Sequence, residues 1–341
     1  SLAVIYDGQR TKFWIGTPRA GANGIREAGE PRFQPDPRDP ARFISMTVDR
    51  IDAWPELPLE AWRDTCETLH RYVQIVGKVR LALSPPEPQW AHVALYVTPR
   101  GLTTGPIPYR DGSFSVEFDL LDHGMRVLMS DGSDRALALI PRTVADFYRE
   151  TIQLFDGLGI QFHIWDVPAE LPDRIPFDQD VEHKSYDPRY VRRFSQVLQQ
   201  VNAALEEHRA PYLLRHTRVQ FFFGSFDLAY ARYSGRPAAP PSGDVIMRNA
   251  MNAQEICTGF WPGDDRFPEP GFWCYGYPKA DGVETACIGP ANAGWNTKLG
   301  EFLMRYSDVR AARDPRAELR EFLTSTYDVL AQLAQWPSGA E

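Results

Sequence analysis

The sequence predicts an α+β protein built as two pseudo-repeated halves, each an antiparallel sheet flanked by helices. Two observations carry this. "FSVEFDLLDHGMRVLMSDGS" (residues 114–133) and "GFWCYGYPKADGVETACIGP" (271–290) read as hairpins, alternating apolar and polar residues around Gly-containing turns. Segments with a helical apolar period stand at the ends of each half rather than between successive strands, which argues against a doubly wound sheet. The order of helix, strands and helix then returns after residue 187. The expected units are an N-terminal arm at 1–45, a first half at 46–187 and a second at 188–341.

Each element has its own signal. Residues 1–45 are dense in Gly, Pro and Arg, and only Asp7-Gly8 suggests a hairpin. In 54–78, Trp62, Cys66, Leu69, Tyr72 and Val73 recur at three- and four-residue steps, the spacing of an amphipathic helix. "VRLALS" and "AHVALYVTP" follow as expected strands, and then the hairpin turning at Asp122-His123-Gly124. "TVADFYRETIQLFDGLG" has an N-cap threonine, an apolar stripe and a terminal glycine, so it is a helix. "IQFHIWDVP" is an expected strand. In the second half "DPRYVRRFSQVLQQVNAALEEHR" is a helix, "VQFFFGS" and "FDLAYARYSG" are strands, and "DPRAELREFLTSTYDVLAQLAQW" is the closing helix.

Composition sets bounds on function. The net charge of −8 lacks the clustered basic face that nucleic-acid binding needs, and no run of eighteen apolar residues suggests a membrane span. Cys66, Cys257, Cys274 and Cys287 form no CxxC pair, and the first residues are broken by charges, so a cytoplasmic protein with reduced thiols is expected. A phosphate loop, a dinucleotide fingerprint, HExxH and GxSxG are all missing.

One resemblance runs across the chain. "WPELPLEAWRDTCETLHRYVQIVGKVRLAL", "HVALYVTPRGLTTGPIPY", "IPFDQDVEHKSYD", "FFGSFDLAYARYSGR", "GFWPG" and "LGEFLMRY" resemble successive blocks of the bacterial domain of unknown function 5996 family. The resemblance implies membership and no reaction. It also implies histidine at the positions of Gln220 and Gln254, where two imidazoles near Glu255 would suit zinc, iron or nickel. Glutamine is a poor replacement for either, so no metal ligand is assigned.

The chemistry-bearing residues fall in a few stretches. Asp180 and His183 stand three apart, which puts a carboxylate and an imidazole on one face, either as an acid/base pair or as a capping turn. Arg100, Thr103 and Thr104 suit an anion-binding turn, or simply a turn-rich loop. Ser225, Asp227, Arg232 and Arg236 are candidates for pocket lining or for a salt-bridge network. Glu255 and Trp261 sit in an aromatic-rich stretch that reads as a pocket wall or as core. The expected protein is an enzyme using Asp180, His183 and Glu255 for acid/base work on a small polar or anionic molecule between the halves, with Arg100, Thr103, Thr104, Ser225, Asp227, Arg232, Arg236 and Trp261 as substrate contacts. A non-catalytic small-molecule binder and a structural or partner-binding protein are the alternatives.

Overall fold

The computed structural model describes residues 3–7, 10–14, 52–241 and 245–337. Near the N-terminus, β1 (Ala3–Asp7) and β2 (Arg10–Trp14) pair antiparallel with Asp7 opposite Arg10, the hairpin that Asp7-Gly8 predicts. Most of the segment expected to be an arm lies outside the described residues.

From Asp52 onward the chain is α+β, with two antiparallel sheets of six strands. Helix α1 (Leu59–Leu83) opens it and is buried on nearly every side from Thr65 to Arg80. The strand expected at "VRLALS" is instead the last turns of α1, because Val76 and Val79 continue the buried helical spacing and packing overrides β-branched preference. Gly77 lets this helix touch the turn after β9, described below. A Cβ there would stand 2.1 Å from Cδ1 and 2.7 Å from Cβ of Phe223. Alanine gains about 1 kcal/mol of helix propensity, but overpacking a filled core costs about 1–3 kcal/mol, and so short a contact falls at the upper end. We expect Gly77→Ala to lose about 1–2 kcal/mol in urea denaturation. An unchanged midpoint would mean that Phe223 swings aside at no cost.

The first sheet runs β3 (Tyr96–Thr98), β4 (Gly101–Thr103), β6 (Gly112–Asp119), β7 (Gly124–Met129) and β8 (Asp134–Ala138), with β5 (Ile107–Tyr109) also paired to β6. The β6–β7 hairpin turns at the expected residues, with His123 at φ 54°. "GLTTGPIPY" is no loop: it supplies β4 and β5, both bonded to β6. Helix α2 (Val144–Gly157) follows, its Asp146 N–H donating to the Thr143 N-cap hydroxyl at 3.0 Å. "IQFHIWDVP" keeps Ile160 and Ile164 buried but pairs with no strand among the described residues.

Helix α3 (Pro188–Arg209), capped by Asp187, begins the second half. Its sheet has the order β13-β14-β12-β11-β10-β9, made of β9 (Gln220–Phe222), β10 (Asp227–Pro237), β11 (Ala253–Trp261), β12 (Gly271–Tyr277), β13 (Gly294–Asn296) and β14 (Glu301–Arg305). Short helix α4 (Val245–Ala250) lies between β10 and β11, α5 (Tyr306–Ala311) follows β14, and α6 (Pro315–Leu333) closes the chain. The hairpin expected at 271–290 does not form. Asp281-Gly282 leads into a 3-10 turn at Val283–Thr285, while β12 pairs with β11 and β14.

The register sorts this sheet into two faces. Residues opposite one another across a ladder share a face, and neighbours along a strand alternate. Leu228, Tyr230, Arg232, Ile256, Phe260 and Phe272 lie on one side, and their apolar members join a hydrophobic core that continues through α1, α3, α6 and the first sheet. Gln220, Phe222, Asp227, Ala229, Ala231, Tyr233, Glu255, Cys257, Trp273 and Tyr275 share the other side. Among the described residues, no helix is long and apolar enough to cross a membrane.

Candidate functional site

That second face forms the floor of a cavity of about 260 Å³. The alternation of β10 brings Asp227 and Tyr233 to it, and β11 contributes Glu255 and Cys257. Trp273 and Tyr275 of β12 stack at 5.6 Å and complete the floor. Trp273 lies over Gly259, where a Cβ would come within 2.5 Å of its ring. The cover comes from both halves of the chain: Lys78 and Leu81 of α1, Gln89 and Trp90 of a 3-10 turn, Glu170, and Ile246 and Met247 of α4. The cover is tied to itself where the Trp90 indole N–H donates to the Ile246 carbonyl at 2.8 Å.

Two carboxyls define the ends of this space. Asp227 is 8% exposed and accepts a hydrogen bond from the Ser225 hydroxyl. Burial pushes its pKa up to about 7, with the Glu170 charge adding to the rise and the Ser225 bond opposing it. Glu255 is 4% exposed, and burial pushes it up to about 8 against hydrogen bonding from Tyr275 and the charge of Arg215. Burial also raises the Cys257 thiol well above its ordinary range, so it is no ready nucleophile at neutral pH. Lys78 is lowered by the same cause. Glu255 lies opposite Tyr233, six residues along β10 from Asp227. At about 3.3 Å per residue the two backbones stand roughly 20 Å apart.

Of the residues singled out in the sequence, Ser225, Asp227 and Glu255 line this cavity, with Glu255 at the far end from the other two, and Gln220 also lines it. The others lie elsewhere. Asp180, with no exposed surface, sits in an ion cluster with Arg71 of α1 and His183, whose Nδ1 is 2.9 Å from Asp180 Oδ2. Its main-chain oxygen accepts from Ala145 N–H at the start of α2, and that of His183 accepts from Val144 N–H. Arg100 is exposed and paired with Asp119 and Asp122, both at 2.5 Å. Thr103 and Thr104 turn their hydroxyls to main-chain groups of Gly105 and Val116.

Arg232 emerges on the helix side of β10, opposite in parity to Asp227, so the expected pairing of the two does not form. Arg236 is exposed at the strand's end, where its main-chain N–H donates to the Ser234 hydroxyl. Trp261 packs with Ala229, Trp273 and Leu303 in a small cluster beside the cavity. Gln220 and Gln254 also stand on opposite faces, Gln220 at the cavity and Gln254 accepting from the Ser234 hydroxyl at 2.9 Å. Histidines there would not share one metal. Cys66 and Cys274 are buried and Cys287 exposed, and all four cysteines are free.

Sequence reasoning passed over Lys78, Trp90, Glu170 and Tyr233. The alternation of Glu255 and Cys257 with Ile256 and Phe260 separates a face that carries a carboxyl and a thiol from an apolar one on β11, and extending it across β10 would have found Tyr233. Nothing local marks the cover, which depends on where α1 and α4 pack.

The chain belongs to the family of unknown function DUF5996, which its residues 54–341 match. No curated protein and no solved structure matches it.

Proposed function

We propose that this cavity binds a small, largely apolar organic molecule with polar or basic groups, and that Glu255 acts on it as a general acid. The observation that carries this is the setting of Glu255, a buried carboxyl opposite Tyr233 and hydrogen-bonded by Tyr275 on the floor of a cavity. Such an environment keeps a proton on the acid near neutral pH, so that it is available for donation. A positioned acid of this kind contributes about 10²- to 10⁴-fold in rate. Burial already disfavours the charged forms of Asp227 and Glu255, and a second anion beside them would be disfavoured for the same reason, which favours a neutral or basic ligand over an anionic one. The volume of about 260 Å³ suits a metabolite at the small end of ligand pockets. The four free thiols support a cytoplasmic setting.

A second reading, non-catalytic binding of the same ligand, is favoured by the separation of Asp227 from Glu255. Roughly 20 Å of sheet is too far for two carboxyls to share one reacting centre, which in paired-acid enzymes spans about 5–9.5 Å. Calorimetry with aromatic amines and their matched alcohols and carboxylates tests the site. We expect amines or alcohols to give a heat that Glu255→Gln changes, and carboxylates to give none that it changes. If no member gives such a heat, or if carboxylates give the largest, both readings fail. Mass spectrometry of a metabolite extract then separates them: consumption by the wild type and not by Glu255→Gln supports catalysis, and binding without consumption supports the second reading.

A further inference from the structure

On the opposite side of the same sheet, Arg232 carries a charge with no carboxylate partner among the described residues. Its side chain is 5% exposed, and its Nε makes no hydrogen bond among the described residues. Nη2 donates to the main-chain oxygen of His208 near the end of α3. The guanidinium lies over the rings of Tyr327, Tyr212 and Tyr230, at 4.2, 5.0 and 5.9 Å from their centroids. Ring faces attract a desolvated cation by about 2 kcal/mol, but they accept none of its in-plane N–H groups. A guanidinium presents five donors in a planar fork that fits a carboxylate or phosphate.

A purely structural role, holding the last carbonyls of α3, accounts for one of those donors. It does not account for the cavity of about 370 Å³ that Arg232 lines between α3 and α6. Arg316, Arg320, Glu207, Asp328 and His208 share that lining. Arg316 is held by Glu207 through contacts of 3.1 and 2.7 Å. His208 is neutral, its pKa lowered to about 3 by burial and by the charge of Arg232. The lining therefore carries three guanidiniums against two carboxylates.

We propose that this second cavity is an oxyanion site, in which a small carboxylate or phosphate is gripped by Arg232 from within and by exposed Arg320 from the rim. It is independent of the cavity around Glu255, from which β10 separates it. The test is calorimetry on the full chain at constant ionic strength, with inorganic phosphate and benzoate as separate titrants. One equivalent of one titrant is expected to bind, and which one binds identifies the class. Arg232→Met is expected to abolish that heat. Arg320→Gln, at an exposed position outside the tyrosine cluster, keeps the test open if the first variant fails to fold, and it should weaken binding at least tenfold. The proposal is overturned if neither titrant binds the wild type, or if Arg320→Gln binds as tightly as the wild type.

Discussion

Replacing Glu255 by glutamine will make the protein more resistant to urea at pH 8 and leave it nearly unchanged at pH 5. The folded state holds the Glu255 proton up to about pH 8, whereas the unfolded chain releases it near the ordinary value of 4.5. Between those values the native state binds one proton more than the unfolded state, so wild-type stability falls as pH rises, by about 1.4 kcal/mol per unit. Glutamine keeps the shape and the acceptor for Tyr275 but has no such proton to lose. The variant should therefore gain on the wild type by on the order of 3 kcal/mol across this window. Asp227→Asn should do the same between about pH 3.8 and 7. Urea midpoints at pH 5, 6.5 and 8 check this. Parallel stability profiles for wild type and Glu255→Gln would mean that the carboxylate is solvated and the cavity wet.

Asp180→Ala has the opposite sign and a different origin. Burial alone would raise this carboxyl, but hydrogen bonds from the His183 ring and main chain, with the charges of His183 and Arg71, hold it below the ordinary carboxylate range. Arg71 is itself 3% exposed, and its other acidic partner, Asp173, is partly solvated at 3.2 Å. The Arg71 Nε lies 3.2 Å from Asp180 Oδ2, close enough for charge pairing although its N–H is not aimed for a hydrogen bond. Removing Asp180 leaves a buried guanidinium without its innermost counter-charge, a loss that costs about 3–5 kcal/mol. Because the folded pKa is depressed, this contribution is present above about pH 3.8 and is lost as pH falls through the lower folded value. The gap between wild type and variant should therefore close in acid. A loss under about 1 kcal/mol at pH 7 would show that His183 and Arg71 rearrange freely, and would return the pair to candidacy as a working acid and base.

The sequence made the fold class legible because three helices carry their own boundaries. Thr143, Asp187 and Asp314 each cap a helix by accepting main-chain N–H groups, and such caps need no tertiary knowledge. "VRLAL" reads locally as a strand, but it is the end of α1, where Val79 and Arg80 continue that helix's buried run and Leu81 and Ala82 are already exposed. At the site, the closeness of Asp180 and His183 was correctly legible from their spacing. Their partner Arg71 lies on a distant helix, so the ion cluster was not. Asp227 and Arg232 are near in sequence, and with Glu255 they read as different parts of one site. Sorting them needs the ladder between β10 and β11, which no single strand reveals.

The odd spacing of Asp227 and Arg232 on one strand constrains how this chain can change. Deleting or inserting a single residue between them would turn every later side chain of β10 to the wrong side. Arg232 would swing into the acidic cavity, and Tyr233 would be driven into the apolar interior. Altered ligand preference in either cavity must therefore come by substitution at fixed length. Insertions are tolerable only beyond the paired stretch, after Pro237, where β10 ends.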